Sequence, residues 1–147
     1  MAMNNFDETG AMGGIEGLAF GVLIFAFGTL LLGNAWAVVD GKMTASAAAR
    51  EASRNYVEAD TSAHAITNAQ RAATNAAGRY AVSDITFSSD APTYRRCAAV
   101  TATVRLTVPR VALPLIGGAG GTRPVTATHT EVIDPFRSGI ACSATCN

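Results

Sequence analysis

From Gly17 to Val39 the chain runs 23 residues without a charged side chain, entered directly after Glu16 and left at Asp40. Only Thr29 and Asn34 interrupt its apolar character. As a helix this run would be about 35 Å long at roughly 1.5 Å per residue, against a bilayer hydrocarbon core of ~30 Å. The run is therefore expected to cross a membrane. The buried helix of a soluble protein rarely sustains such a run in a chain this small. A cleaved secretory signal is the other reading, because Ala35-Trp36-Ala37 has the small-residue pattern of a cleavage site. Against it, signal cores are usually ~7–15 residues long and follow a basic segment, whereas residues 1–16 hold Asp7, Glu8 and Glu16 and no Lys or Arg.

A carboxylate at the lip of such a segment needs a reason. An ionised carboxylate deep in a bilayer costs ~2.5–3.5 kcal/mol on insertion scales and less near the edge, so Glu16 is expected to be paired with a cation. Glycines add a second constraint: Gly13, Gly17 and Gly21 fall every fourth residue and Gly28 seven further on. One helix face is thereby stripped of side chains. Where helices associate through van der Waals contact rather than apolar burial, such a face is a packing surface.

At 147 residues the chain has room for one domain and an anchor. Eleven Lys and Arg balance eleven Asp and Glu, so no global charge argues for nucleic acid as a partner. Orientation is contested within the sequence. The cations nearest the apolar run, Lys42, Arg50 and Arg54, all follow it, which by the positive-inside rule places the C-terminal part in the cytoplasm. The cysteines and a Thr-rich, β-patterned ending are commoner outside the cell.

Beyond Asp40 the helical period continues, with Ala45, Ala48, Ala49, Ala52 and Tyr56 at three-and-four spacing and no Pro. The anchor helix is expected to leave the membrane intact. Glu58–Ser62 supplies turn and N-cap residues. A second helix follows, with Ala65, Ala69, Ala72, Ala73, Ala76 and Tyr80 on one face and Gly78 as its stop. From Val82 the period becomes two. Ile85 and Phe87 mark one strand. Val100, Ala102, Val104, Leu106 and Val108, alternating with Thr101, Thr103, Arg105 and Thr107, mark a second, and "VTATHTEVI" reads as a third. The predicted fold class is α+β: a long N-terminal helix continuing into a helical pair packed on a three-stranded antiparallel sheet. The apolar connection Val111–Ile116 between the last two strands is a candidate contact surface.

Catalytic chemistry finds no support. His129-Thr130-Glu131 followed by Cys142 and Cys146 departs from the zinc-deaminase signature in cysteine spacing and in lacking a Pro before Cys142. A structural zinc site from Cys97, Cys142, Cys146 and His129 would have no recognised spacing. "GGAGG" at Gly117–Gly121 lacks the Lys and the strand-to-helix context of a phosphate loop. No cofactor and no metal are expected. Three cysteines allow at most one intramolecular bridge. Cys97 bonded to Cys142 or Cys146 would close a loop of roughly forty residues and stabilise by roughly 3–4 kcal/mol in the chain-entropy model. The competing pair is Cys142 with Cys146.

Taken in order, "ETGAMGGIEGLAFGVLIFAFGTLLL", "ASAAAREASRNYVEA", "VTATVRLTVPRVALPLIGGAGG" and "PVTATHTEVI" resemble the TadE/TadG-like minor pilins (pseudopilins) of tight-adherence, type IVb pili. The resemblance implies a cytoplasmic leader over residues 1–11, a transmembrane helix over 12–40 and an extracytoplasmic α+β head over 41–147. It implies removal of the leader by a prepilin peptidase and association with other pilin subunits, a pilus assembly platform and membrane lipid. Gly10, Ala11 and Met12 are then the processing residues. If Glu16 is the glutamate that such pilins carry at the fifth mature position, where it neutralises a neighbour's N-terminal amine, Met12 begins the mature chain. Cleavage after Gly10 would make Glu16 sixth. The implied role is pilus assembly or adhesion at the bacterial cell membrane and in an extracellular pilus. The alternative is a permanently anchored envelope protein with an external binding domain.

Overall fold

The computed structural model describes residues 9–109 and 121–140, with side chains described from Glu16 onward. Its first element, α1, is one unbroken helix of 49 residues, Thr9–Val57, about 73 Å long at 1.5 Å per residue. Then come α2 (Ser62–Ala77), β1 (Ala81–Ser89), β2 (Ala99–Pro109) and β3 (Thr122–Val132). The strands form one antiparallel sheet in the order β1-β2-β3. The expected α+β architecture is observed. The Val111–Ile116 connection lies outside the described residues.

The C-terminal part of α1 is the spine of the head. It lies over β2 and β3, and α2 packs along it and reaches β1. Ala45, Ala48, Ala49 and Ala52 of α1 and Ala65, Ala69 and Ala73 of α2 have no exposed surface. With methyl groups on both faces, the two backbones can approach closely. Central strand β2 supplies the larger side chains: Val100, Ala102, Val104, Leu106 and Val108 are buried, as the two-residue period predicts. Val82, Ile85 and Phe87 of β1 pack against the same core from the edge. A register shift between Val82 and Asp84 lets all three share that face despite their uneven spacing.

Local chemistry sets the helix ends. Thr61 caps α2, its Oγ accepting from the His64 amide at 3.3 Å in extended backbone. Gly78 ends α2 at φ +55°, a conformation that favours glycine. Tyr80 therefore lies beyond the helix rather than on its stripe, buried at the start of the sheet. The C-terminus of α1 is held from elsewhere in the chain. Tyr94 Oη donates to Ala59 O at 2.6 Å and Tyr56 O at 3.1 Å. Arg137 donates to Val57 O at 2.5 Å and to Glu58 O, placing a cation where the helix dipole favours one. Burial pushes the Tyr94 phenol above its ordinary range, so it remains a donor. Tyr56 stacks between Phe87 and Tyr94, with ring centroids at 5.0 and 5.8 Å.

Cys97, at φ +65°, continues the β2–β3 ladder through its amide to Ile133 O at 2.9 Å. It is disulfide-bonded. Cys142 and Cys146, the expected candidates for its partner, lie outside the described residues.

One close contact fixes how α1 sits on the sheet. A Cβ added at Gly41 would meet Val108 Cγ2 at 2.4 Å, whereas one at Gly33 would meet nothing within 4 Å. Gly41→Ala gains about 1 kcal/mol of helix propensity. It also forces a stiff β-branched side chain out of a packed position, at a cost of about 1–3 kcal/mol. Overpacking is expected to win: chemical denaturation of the purified chain should show Gly41→Ala destabilising the head and Gly33→Ala leaving its unfolding midpoint in place. Tyr94→Phe should cost about 1 kcal/mol in the same measurement, the net worth of a lost hydrogen bond.

Candidate functional site: the uncovered helix and its junction with the head

Among the described residues the N-terminal part of α1 is largely exposed, with Phe27, Leu30, Asn34, Ala37 and Val38 partly buried along it and Ala37 packed on the head's core. Its most apolar 18-residue window has a mean hydropathy of 2.1, and none of it is buried. Leu18, Phe25, Leu32 and Trp36 are each about 70% exposed or more. By length and composition this helix can cross a membrane, and among the described residues it is the one that can. Its two polar interruptions each donate to a carbonyl one turn back. Thr29 Oγ donates to Phe25 O at 2.8 Å, and Asn34 Nδ2 donates to Leu30 O at 3.0 Å. Side-chain hydrogen bonds to the preceding turn let polar residues sit in an apolar medium without an orphaned donor.

Of the residues singled out by sequence, Gly17, Gly21 and Gly28 stand in open space, with nothing within 4 Å of an added Cβ. Glu16 is exposed beside them and has no ion-pair partner among the described residues. Gly10, Ala11, Met12 and Gly13 fall in the first turns of α1, which begins at Thr9. The Cys142 and Cys146 positions lie outside the described residues. His129 faces Glu131 at 3.5 Å on β3, and His64 is exposed on α2. Among the described residues no three His, Cys, Asp or Glu side chains gather as metal ligands would.

The junction between the uncovered and covered parts of α1 was not anticipated from sequence. Asp40, the first charge after the apolar run, accepts from Tyr80 Oη at 2.5 Å and from the Arg79 guanidinium. Arg79 also donates to Tyr80 Oη at 3.2 Å and sits over the Tyr80 ring, 5.1 Å from its centroid. The Tyr80 hydroxyl and the Asp40 carboxylate both favour the charged guanidinium and raise its pKa further. One turn of chain just past α2 is thus tied to the point where α1 enters the head. On the other flank, Lys42 Nζ donates to Thr126 O of β3 at 3.3 Å. A usable signal was present: Gly41 continues the Ala45, Ala48, Ala49, Ala52 stripe backwards by one step, marking where that stripe begins.

A cleft of about 540 Å³ opens at the opposite end of the head, lined by Tyr56, Ser62, Pro92, Thr93, Tyr94 and Ile133. Among the described residues its lining is apolar and hydroxyl-bearing, with Tyr56 and Tyr94 as its titratable groups.

The junction makes a prediction of its own. Asp40→Asn and Arg79→Gln should each lower the thermal midpoint of the head, Asp40→Asn more, because it also deprives the buried Tyr80 hydroxyl of its charged acceptor. The double variant should lose less than the sum of the singles. Additive losses in thermal melts would mean that the two side chains act separately. Compared with protein-family models, with curated proteins and with solved structures, the chain matches none.

Proposed function

We propose that the chain is a minor pilin or pseudopilin subunit of a tight-adherence, type IVb-like pilus. In this reading α1 crosses the bacterial cell membrane once, carries the α+β head outside the cytoplasm and later packs against the corresponding helices of other subunits. The protein works by assembly or adhesion, needs no cofactor and performs no catalysis. Its partners are other pilin subunits, the assembly platform, the prepilin peptidase and membrane lipid.

One observation carries the reading: a single continuous helix is the spine of the head at one end and, among the described residues, apolar with no buried residue in its most apolar window at the other. An uncovered apolar surface of that extent needs lipid or other helices around it. Two further features support the reading. Glu16 is exposed at the start of the run, available to an amine on another chain. The glycine face formed by Gly17, Gly21 and Gly28 is open to an approaching backbone.

Amino-terminal sequencing and intact mass of the protein from its native cells test the reading directly. Processing should leave a chain beginning at Met12, or at Ala11 if cleavage follows Gly10. An intact amino terminus would favour the permanently anchored envelope protein. Glu16→Ala should abolish incorporation into filaments while leaving the protein in the membrane fraction. Gly21→Leu should do the same without changing head stability, since an added Cβ there meets nothing within 4 Å among the described residues. Normal incorporation of either variant would remove that residue from the assembly surface.

A further inference from the structure

Resting on the membrane-spanning reading of α1, a second surface emerges where the helix enters the head. Val108 packs on Gly41 and is paired with Arg123 across the β2–β3 ladder. Directly opposed residues of an antiparallel pair project from the same face, so Arg123 leaves β3 on the side of α1, near the level of Gly41. Its side chain is exposed. Lys42 follows Gly41 on the helix and lies along β3. Arg79, its side chain 73% exposed, flanks Asp40 on the α2 side. Three cations thus gather around the helix at one height, with Asp40 as their counter-charge among the described residues.

The charge balance singles out this end. The described residues from Asp40 onward carry ten Lys and Arg against eight Asp and Glu. Without Lys42, Arg79, Arg123 and Asp40, seven cations face seven anions. The net positive charge of the described head therefore resides in this collar. One turn below it stands Trp36, the chain's only tryptophan, 70% exposed. Exposed aromatic residues of this kind sit at the level of lipid headgroups. Below Trp36 no charge occurs until Glu16.

We infer that Lys42, Arg79 and Arg123 form a collar that binds the phosphate groups of anionic phospholipids in the leaflet on the head's side and seats the head against the membrane. The occupant follows from position. With the apolar run in hydrocarbon and Trp36 at its boundary, the collar lies in the plane of the headgroups, and what it meets first is lipid phosphate. Exposed cations near an anionic surface attract it over about a Debye length, roughly 8–10 Å at ordinary ionic strength, so the contact is sensitive to salt.

The full chain reconstituted in phosphatidylcholine bilayers, with and without phosphatidylglycerol, tests this. Quenching of the lone Trp36 by lipids brominated on their acyl chains reports on the span. Its absence in every bilayer would overturn the spanning reading and the collar with it. With quenching present, electron spin resonance of spin-labelled lipids compares phosphatidylglycerol with phosphatidylcholine at the protein boundary. The expected preference for phosphatidylglycerol is roughly two- to fivefold, reduced by high salt. The preference should disappear in the Lys42→Gln, Arg123→Gln double variant and persist in Arg71→Gln, which removes an exposed charge midway along α2. Equal association of the two lipids with the wild-type chain would overturn the collar and leave the span intact. An equal loss in Arg71→Gln would also overturn it, by showing that overall charge and not position sets the preference.

Discussion

An α-helix satisfies its own backbone hydrogen bonds, and this allows one element to live in two surroundings. No strand could leave the sheet and continue uncovered for more than twenty residues without orphaning a row of amides and carbonyls. Because α1 carries its bonding with it, the chain changes environment at Asp40 without changing conformation. What does change is the side chains, which pass from large, apolar and mostly exposed among the described residues to small and fully buried. The head can be organised around α1 because the covered part presents only hydrogen or methyl where the sheet and α2 must come close, at Gly41, Ala45, Ala48, Ala49 and Ala52.

The same logic explains the division of volume in the core. Alanine-faced helices contribute little apolar bulk, so the filling must come from the sheet, and Val100, Val104, Leu106 and Val108 of β2 provide it. Aromatic side chains collect at the far end, where the two helices are joined by a short turn and Tyr56, Phe87 and Tyr94 fill the wider gap. The polar contacts gather at the two ends of the head, around Asp40 and around Val57 to Asp60, where helix termini and turns expose backbone groups.

Much of this was legible in the residue order because it is periodic. The alanine stripes, the alternation in β2, the Thr61 cap and the Gly78 stop are local signals, each decided by neighbours within a few positions. The features that escaped notice join distant positions. Asp40 and Tyr80 are forty residues apart, and Arg137 reaches back eighty residues to Val57 O. Neither residue type nor spacing identifies such pairs before the fold brings them together. The shift at Ser83 was hidden for a related reason: it serves a cross-strand register, which a single strand read alone does not reveal. For the uncovered helix the position is reversed. Glu16 and the glycines were conspicuous in the sequence, and the fold adds that nothing else in the described chain occupies the space beside them.

The clamp on the end of α1 bears on mechanics. Tyr94, just before β2, and Arg137, just after β3, both grip the last carbonyls of the helix. Separating α1 from the head at that end means breaking contacts made by two segments distant from each other in the chain, one on either side of the β2–β3 pair.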